Sequence, residues 1–191
     1  MTNVIEFMQS AWSEEACKQI IDMALEQGLD RASTGMPGQY HINEVEQVRK
    51  CNTCWLVPEP RWKALFDEVE HMFRTTNRHL YGYDIDYVPE IQFTEYLGSE
   101  GGKYDWHEDI FWADDTKEYH RKISMSVQLS NSFDYKGGDL EFKDIEGMDT
   151  DAMRLQGSAI VFPSYLSHRV TPVTEGTRYS LVAWMEGPKF R

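Results

Sequence analysis

Two side chains of metal-binding types stand two positions apart in the stretch YDWHEDIFW, residues 104–112. They are His107 and Asp109. In a β-strand, residues i and i+2 point to the same face, so this imidazole and this carboxylate could reach one ion together. A polar pair on a solvent-exposed face would have the same spacing. Because two ligands hold a catalytic metal poorly, a metal site would need a third ligand from elsewhere in the chain.

His168 is the best-placed third ligand. It follows GSAIVFPSYLS, which has the apolar content of a buried strand, and it begins a further strand. We predict helices or polar loops around the remaining histidines, which are His41, His71, His79 and His120. An H-x-D pair followed by a distant histidine is the pattern of the 2-His-1-carboxylate triad, which leaves coordination positions of iron(II) open. The same side chains could hold zinc and a water molecule, so the ligands alone do not select the chemistry.

Arg178 bears on the choice between iron and zinc chemistry. It lies in TRYSLVAW, where a strand would place it on one face with Ser180 and Val182. An unpaired guanidinium in the interior is strongly destabilising, so a buried arginine requires a carboxylate, which its planar fork can bind in bidentate fashion. A dicarboxylate bound to iron by a 2-oxo acid end and to Arg178 by its far end would fit. Alternatively, Arg178 faces solvent and pairs with Glu175 or Glu186.

From residue 82 onward the sequence has the period of β-strands. In KISMSVQLS, residues 122–130, apolar and polar side chains alternate. The apolar set is Ile123, Met125, Val127 and Leu129, and the polar set is Ser124, Ser126 and Gln128. Small uncharged polar residues are typical of a cavity lining, and a half-exposed sheet face would look the same. Further short strands separated by Gly, Pro and Asp predict a sandwich or barrel.

Residues 1–80 are predicted to be mostly helical. Ser13 is a suitable N-cap for a helix that ends at Gly28, and Pro60 opens a second helix. The apolar stripes of the two helices are Cys17, Ile20, Ile21, Ala24 and Leu25, and Trp62, Leu65, Phe66, Val69, Met72 and Phe73. Residues 29–58 are predicted to be loop, with one short strand near CNTCWLV. We therefore expect one domain over 1–191, with 1–80 as helical support and 82–191 as a β core.

Charge and cysteine content narrow the classes of partner and compartment. The formal net charge of −13 argues against nucleic acid as a partner. No stretch approaches the ~20 apolar residues of a membrane span, and the N-terminus does not have the pattern of a signal peptide. Without such a signal, the three cysteines indicate free thiols and a cytoplasmic location. We interpret the C-x-x-C pair Cys51 and Cys54 as packed thiols. Oligomeric state is not predicted.

Three blocks of the sequence resemble the iron(II)/2-oxoglutarate-dependent dioxygenases, and among them the prolyl-4-hydroxylase-like, PKHD-type hydroxylases. EYLGSEGGKYDWHEDI is similar to the family's tyrosine, glycine turn and Y-x-x-H-x-D. ISMSVQLSNSFDYKGGDLEF resembles its central strand and Gly-Gly-x-Leu hairpin. GSAIVFPSYLSHRVTPVTEGTRYSLVAWMEG resembles its P-S-x-x-x-H-x-V-x-P-V-x-x-G-x-R run. Together the blocks cover about residues 90–187.

The resemblance implies a mainly β fold with helices, namely a double-stranded β-helix, or jelly roll, braced by N-terminal helices. It implies metal ligation by His107, Asp109 and His168 and binding of the distal 2-oxoglutarate carboxylate by Arg178, these four forming the catalytic set. Tyr96 matches a tyrosine that helps hold the co-substrate. Ser180 and Gln128 are further candidate pocket contacts, and Tyr104 and Trp106 are expected in the core or cavity wall.

The implied reaction consumes 2-oxoglutarate and O2 at iron(II) and yields succinate, CO2 and a hydroxylated substrate, with the iron supplying the oxidising power. Ascorbate is an optional further cofactor. Asp109 favours hydroxylation, because relatives that halogenate lack the carboxylate. The implied substrate is a prolyl residue of a peptide or protein, and a free amino acid or another small molecule is the alternative.

Two other functions fit parts of the pattern. A cupin-type barrel would bind zinc or manganese without 2-oxoglutarate chemistry. A non-catalytic module of the same fold would recognise a peptide, although it would have no need for the triad and the arginine together. We expect the pocket rim to come from residues 29–58 and 110–120, where Phe111 and Trp112 would either stack on a substrate ring or pack against the helices. The run ADDTKE is expected to be a solvated loop.

Overall fold

The computed structural model describes residues 4–32, 47–110, 112 and 118–190. The α-helices that it describes in full are α1 (Glu14–Gln27), α2 (Lys63–Thr76) and α3 (Thr150–Met153). The strands are β1 (Glu6–Met8), β2 (Asp30–Arg31), β3 (Arg49–Lys50), β4 (Asn52–Leu56), β5 (Ile91–Leu97), β6 (Lys103–His107), β7 (Tyr119–Gln128), β8 (Tyr135–Gly137), β9 (Leu140–Phe142), β10 (Ala159–Pro163), β11 (His168–Val170) and β12 (Val173–Pro188). Our predictions for His41, for Phe111 and for most of ADDTKE fall outside the described residues.

The strands form two antiparallel sheets. The large sheet has the order β1-β10-β7-β12-β5-β4-β2, with β8 paired to one end of β12, and the small sheet has the order β3-β6-β11-β9. Side chains from both sheets line one deep cavity. Two sheets that enclose a cavity in this way form the jelly roll that we predicted.

The main core lies between the helices and the outer face of the large sheet. Ser13 caps α1 by accepting a hydrogen bond from the backbone N–H of Ala16 (3.2 Å). The predicted stripe of α2 is buried throughout, and in α1 the residues Cys17, Ile20 and Ala24 are buried. Leu25 is an exception, because its side chain remains 40% exposed.

Strand β7 confirms the predicted alternation of apolar and polar side chains. It also shows that the apolar face packs in the main core and the polar face lines the cavity. The four apolar side chains predicted for one face are at most 1% exposed and belong to the main core. The polar face is equally buried, with Ser124, Ser126 and Gln128 between 0% and 7% exposed. Ser126 lines the cavity, so this face is a cavity lining rather than a half-exposed sheet face.

The N-terminal part is less helical than we predicted. Four strands, β1 to β4, precede residue 80. Of these, β1, β2 and β4 belong to the large sheet and β3 belongs to the small sheet. β4 matches the strand predicted near CNTCWLV, but strands of two or three residues are too short to show a period in the sequence. His120 was placed wrongly in a helix or loop, because β7 begins at Tyr119 and pairs there with the end of β12.

The three cysteines are free and buried. Cys54 packs in the main core, whereas Cys51 packs with Tyr96 and Tyr135 in a separate cluster. The C-x-x-C spacing therefore reflects two thiols packed in different clusters. No helix in the described parts of the chain is long and apolar enough to cross a membrane.

Candidate metal centre and active site

The three predicted metal ligands converge at one point. One ligand atom from each of His107, Asp109 and His168 lies within 4.8 Å of the others. The Nε2 atom of His107 is 3.8 Å from Oδ1 of Asp109, and the Nε2 atom of His168 is 3.6 Å from Oδ2. The two histidines are direct partners in the β6–β11 pairing. Strand β6 ends at His107, so Asp109 lies just beyond the strand, and its backbone N–H donates to the carbonyl of Ser164 (2.9 Å).

Backbone carbonyls fix the histidine tautomers. Nδ1 of His107 is 2.7 Å from the carbonyl oxygen of Asp105, and Nδ1 of His168 is 2.8 Å from that of Leu166. Because a carbonyl oxygen only accepts hydrogen bonds, each Nδ1 carries the proton and each Nε2 keeps a free lone pair. Both lone pairs are therefore available to a metal ion, which is the arrangement common among histidine ligands.

Hydroxyl groups orient the carboxylate of Asp109. Ser124 donates to Oδ2 of Asp109 (2.6 Å), and its own hydroxyl lies 2.9 Å from that of Ser164. Burial raises the pKa of Asp109, but its electrostatic interactions with His168, His107 and Arg121 and the hydrogen bond from Ser124 outweigh it, so the pKa is lowered overall.

Burial also acts on His107. It lowers the pKa of this imidazole from 6.5 to about 4, assisted by His168 and opposed by Asp109. The site thus favours a neutral imidazole beside an ionised carboxylate, which are the forms that bind metals.

The triad lies on the wall of a cavity of about 650 Å³. Strand β12 contributes alternate residues to the wall, namely Arg178, Ser180, Val182 and Trp184. At roughly 3.3 Å per residue, these four side chains extend over about 20 Å of the cavity. Trp184 is paired with Ser124, so Asp109 lies nearer to Trp184 and Arg178 lies at the other end.

Arg178 points inward, as the cavity interpretation requires. It is 4% exposed, and its Nε donates to Oε1 of Gln128 (3.0 Å). Its Nη1 is buried and has no hydrogen-bond partner among the residues that the structure describes. The alternative of a solvent-facing Arg178 is wrong; Glu175 instead pairs with Lys136 (2.7 Å).

The other predicted pocket residues surround Arg178. The ring centroid of Tyr96 is 5.5 Å from the guanidinium carbon, and Tyr96 lies directly opposite Arg178 in the β5–β12 pairing. Tyr96 and Ser180 line the main cavity. Gln128 lines a small adjoining cavity and contacts the main site through its bond to Arg178.

Several lining residues were missed. Trp184 is an even number of residues from Arg178 in the same strand, so the alternation of strand faces would have predicted it in the cavity wall. The same alternation would have placed Arg121 on the apolar face with Ile123, so the sequence could not have predicted Arg121 in the wall. A β-bulge between Ile123 and Arg121, opposite Met185 and Glu186, turns Arg121 into the cavity. Its guanidinium carbon lies 3.7 Å from the Trp184 ring centroid.

The aromatic residues near the triad have separate roles. Tyr104 stacks on the ring of His107 at 3.5 Å and lines the cavity, whereas Trp106 is 39% exposed. Trp112 packs against His120 and Phe190. The predicted rim segment 29–58 does contribute, through Val48, Arg49 and Trp55.

The donor set fits ferrous iron, since two imidazoles and one carboxylate on adjacent positions leave the remaining positions open. Ligands about 2.1 Å from one ion lie at most about 4.2 Å apart, and both nitrogen-to-oxygen separations are below that limit. The buried, unsatisfied Nη1 of Arg178 fits an anionic ligand in the same cavity.

Comparison with known proteins agrees with this geometry. A PKHD-type hydroxylase of Synechococcus sp. (strain CC9605) is 37% identical over 89 residues, which is 46% of this chain and 38% of the relative. One from Idiomarina loihiensis is 38% identical over 65 residues, 34% of this chain and 29% of the relative. The chain thus spans less than two fifths of the length of these relatives.

A solved structure shares the fold across nearly the whole chain. The viral collagen prolyl hydroxylase of Paramecium Bursaria Chlorella virus-1 superposes with a TM-score of 0.74 at 18% identity, covering 97% of each chain. Residues 91–186 match the sequence profile of the 2OG-Fe(II) oxygenase superfamily. That matched range is half of the chain and contains the triad and Arg178. The chain therefore belongs to the 2OG-Fe(II) oxygenase superfamily.

Proposed function

We propose that this chain is an iron(II)- and 2-oxoglutarate-dependent dioxygenase that hydroxylates a prolyl residue of a peptide or protein. Its superfamily implies Fe(II) and 2-oxoglutarate. The observation that carries the proposal is the combination of three convergent ligand atoms with an inward-facing, unsatisfied Arg178 in one cavity. A metal-binding barrel without an anionic ligand would leave that buried arginine unsatisfied.

In this proposal His107, Asp109 and His168 hold the iron. The backbone carbonyls that bind the two Nδ1–H groups keep each imidazole in the coordinating tautomer. Ser124 holds the Asp109 carboxylate by its 2.6 Å hydrogen bond and so limits its rotation. The protein would thereby present three fixed donor groups to the iron.

Arg178 binds the distal carboxylate of 2-oxoglutarate in this scheme. Gln128 orients the guanidinium through its bond to Nε, which leaves the Nη side free to point at the ligand. Tyr96 and Ser180 flank the same end of the cavity as further co-substrate contacts. Because Arg178 is almost fully buried, its pairing with a carboxylate is little screened by water.

When bound together, iron(II), 2-oxoglutarate and O2 supply an oxidant that hydroxylates a C–H bond while 2-oxoglutarate leaves as succinate and CO2. The substrate enters, we propose, from the opposite side, where Trp55 and Trp184 form the cavity wall. Trp55 is 40% exposed and therefore lies at the mouth, whereas Trp184 is buried. Such aromatic walls exclude water from the reacting atoms and suit a flat or ring-shaped substrate group.

The prolyl substrate is suggested by the names of similar proteins. The relatives are called PKHD-type hydroxylases, and the fold neighbours include the viral collagen prolyl hydroxylase and a prolyl-4-hydroxylase of Pseudomonas putida. The decisive experiment incubates the purified chain with iron(II), ascorbate, 2-oxoglutarate and a panel of proline-containing peptides and free amino acids. Mass spectrometry should find a peptide product heavier by one oxygen atom, formed only when 2-oxoglutarate is present.

Other outcomes would redirect the proposal. Hydroxylation of a free amino acid alone would keep the chemistry and change the substrate class. Metal binding without succinate formation from any substrate would favour a cupin-type protein. An Asp109→Ala variant serves as the matched control, because it removes one proposed iron ligand and should abolish succinate formation.

A further inference from the structure

The ring of Tyr104 connects a metal ligand to a buried arginine. It stacks on the imidazole of His107, with the ring centroids 3.5 Å apart and the planes inclined by 11°. The guanidinium carbon of Arg49 lies 4.6 Å from the centroid of the same Tyr104 ring. The sheet brings these groups together, because Arg49 of β3 is the direct partner of Tyr104 of β6. Arg49 and His107 are therefore linked through one aromatic ring.

The two histidine ligands differ in how their aromatic neighbours are held. The ring of Phe162 meets that of His168 edge-on, with the centroids 4.7 Å apart, and Phe162 is 1% exposed within a hydrophobic cluster. Close packing in such a cluster restrains the phenylalanine ring. Tyr104 is only half-buried and lines the cavity, so packing restrains its ring less. The contact with Arg49 supplies a further restraint on that ring.

Arg49 is itself held in place. It is 8% exposed, and its Nε donates a hydrogen bond to Sγ of Cys51 (3.2 Å). Burial raises the pKa of the Cys51 thiol despite the opposing effect of Arg49, so the sulfur stays neutral and does not cancel the charge of the guanidinium. A cation over an aromatic ring is attracted by the quadrupole of the ring, and more strongly where water is excluded. Arg49 thus attracts the Tyr104 ring from a fixed position.

The orientation of the His107 ring decides where its metal-binding lone pair points. The torsion that turns an imidazole about its Cβ–Cγ bond is broad, so neighbouring groups must set it. The carbonyl of Asp105 holds Nδ1 at 2.7 Å, and the stacked ring of Tyr104 limits rotation of the imidazole out of its plane. Groups that support a metal ligand from behind commonly control metal affinity in this way.

We propose that Arg49 is a positioning residue of the metal centre, which holds Tyr104 against His107 and so fixes the plane of that ligand. The inference rests on the proposed function, because it concerns the same site of three ligands. It gives a cationic residue of the cavity wall a role that requires no contact with the substrate, the co-substrate or the metal.

The sign of the effect separates this role from simple electrostatics. The charge of Arg49 by itself opposes the binding of a divalent cation nearby, so its removal would tighten metal binding. Loss of a positioning contact would instead weaken metal binding. Calorimetric titration of the metal-free chain with manganese(II) should give a Kd about tenfold higher in Arg49→Met than in the parent. Arg49→Gln is a second variant with the same expected result, and circular dichroism checks that each variant is folded.

A double-mutant cycle tests whether the effect passes through Tyr104. Tyr104→Phe keeps the ring and should keep the parent Kd for manganese(II), whereas Tyr104→Leu removes the ring and should raise the Kd. In the Tyr104→Leu background, the addition of Arg49→Met should raise the Kd no further. Cobalt(II) provides a spectroscopic readout of ligand geometry. Its visible absorption bands should shift in Arg49→Met and stay unchanged in Tyr104→Phe.

Arg169→Met is the matched control. Arg169 follows the ligand His168 in sequence, and its guanidinium carbon lies at a similar distance, 4.7 Å, from the ring centroid of Trp106. Arg169 pairs with Glu141 (2.7 Å), and neither Arg169 nor Trp106 lines the main cavity. The control therefore removes an arginine–aromatic contact that does not involve the ring stacked on His107. The Kd for manganese(II) and the cobalt(II) spectrum should stay as in the parent.

Each outcome decides the question. A Kd for manganese(II) in Arg49→Met that equals or falls below the parent value overturns the inference, and so does a further loss of affinity in the Tyr104→Leu background. An unchanged Kd for manganese(II) combined with a raised Kd for 2-oxoglutarate also overturns it, because Arg49 would then bind an anion in the cavity. If the parent chain binds no metal, the proposed function itself fails. If the parent binds metal and only the Arg49 comparison is negative, the proposed function stands without this role.

Discussion

Replacement of Arg178 by methionine removes the guanidinium and keeps a side chain of similar length. Among the described residues of the ligand-free chain, this guanidinium makes one hydrogen bond, to Gln128, and its Nη1 is unsatisfied. The interaction that the variant loses is therefore chiefly one with a bound anion. We expect the main effect on the binding of 2-oxoglutarate and a smaller one on the fold.

The size of the effect follows from the type of contact. A hydrogen bond to a charged partner contributes about 1.5–3 kcal/mol, which corresponds to a factor of about 10–150 in affinity. Arg178 is only 4% exposed, so water screens its interaction with the distal carboxylate of 2-oxoglutarate little. We therefore expect this interaction to lie in the upper part of that range. The Michaelis constant for 2-oxoglutarate should rise by that factor in Arg178→Met. The rate at saturating co-substrate should change less.

The assay follows succinate formation at fixed peptide substrate and varied 2-oxoglutarate concentration. Arg74→Met is the matched control, because Arg74 is exposed on α2 and pairs with Glu70 one helical turn away. The control should leave the Michaelis constant unchanged. An unchanged constant in Arg178→Met as well would refute the reasoning, since the arginine would then have no contact with the co-substrate.

Three further predictions concern the metal ligands and the core. Ser124→Ala should weaken metal affinity about 10–100-fold, as measured by calorimetry with manganese(II), because Asp109 loses its 2.6 Å hydrogen bond. Without metal, the free energy of unfolding should fall as the pH falls from 6.5 towards 4, by about 3 kcal/mol from His107 alone. In this range the imidazole of the unfolded chain binds a proton, whereas the imidazole of the folded chain stays neutral. His107→Gln should therefore reduce the pH dependence of the free energy of unfolding, as measured by urea denaturation at each pH. Phe73→Ala, at a fully buried core position, should cost about 3–5 kcal/mol in urea unfolding.

Different results would contradict each of these statements. Parent-like manganese affinity in Ser124→Ala would mean that Asp109 does not depend on the hydroxyl. Parallel pH profiles for the parent and His107→Gln would mean that the imidazole is not desolvated. A loss below about 1 kcal/mol for Phe73→Ala would mean that the helix does not pack on the sheet as described.

The parts of the fold that follow simple periods were predictable. The alternation in 122–130 identified both faces of β7, and the stripe of α2 was correct at every position. The convergence of His107 with His168 was predicted from the H-x-D pattern with a distant histidine and from the resemblance, because the strand β11 that carries His168 has only three residues. The resemblance to a known family supplied the arrangement of the sheets, which no local pattern encodes.

The remaining features depend on contacts that the sequence does not display. The bulge before Ile123 shifts strand parity by one residue and so reverses the side on which Arg121 lies. Tyr135 belongs to a strand of three residues, too short to show which way the ring points. Leu25 has the correct helical spacing, yet its side chain remains 40% exposed, which the spacing alone does not reveal.

The central claim is that one ferrous ion binds between His107, Asp109 and His168. An anaerobic calorimetric titration with iron(II) tests it most directly, on the parent chain and on alanine variants at the three positions. The account predicts one iron per parent chain and loss of that binding in each variant, with folding retained by circular dichroism. Full iron binding by any one of the three folded variants would contradict it.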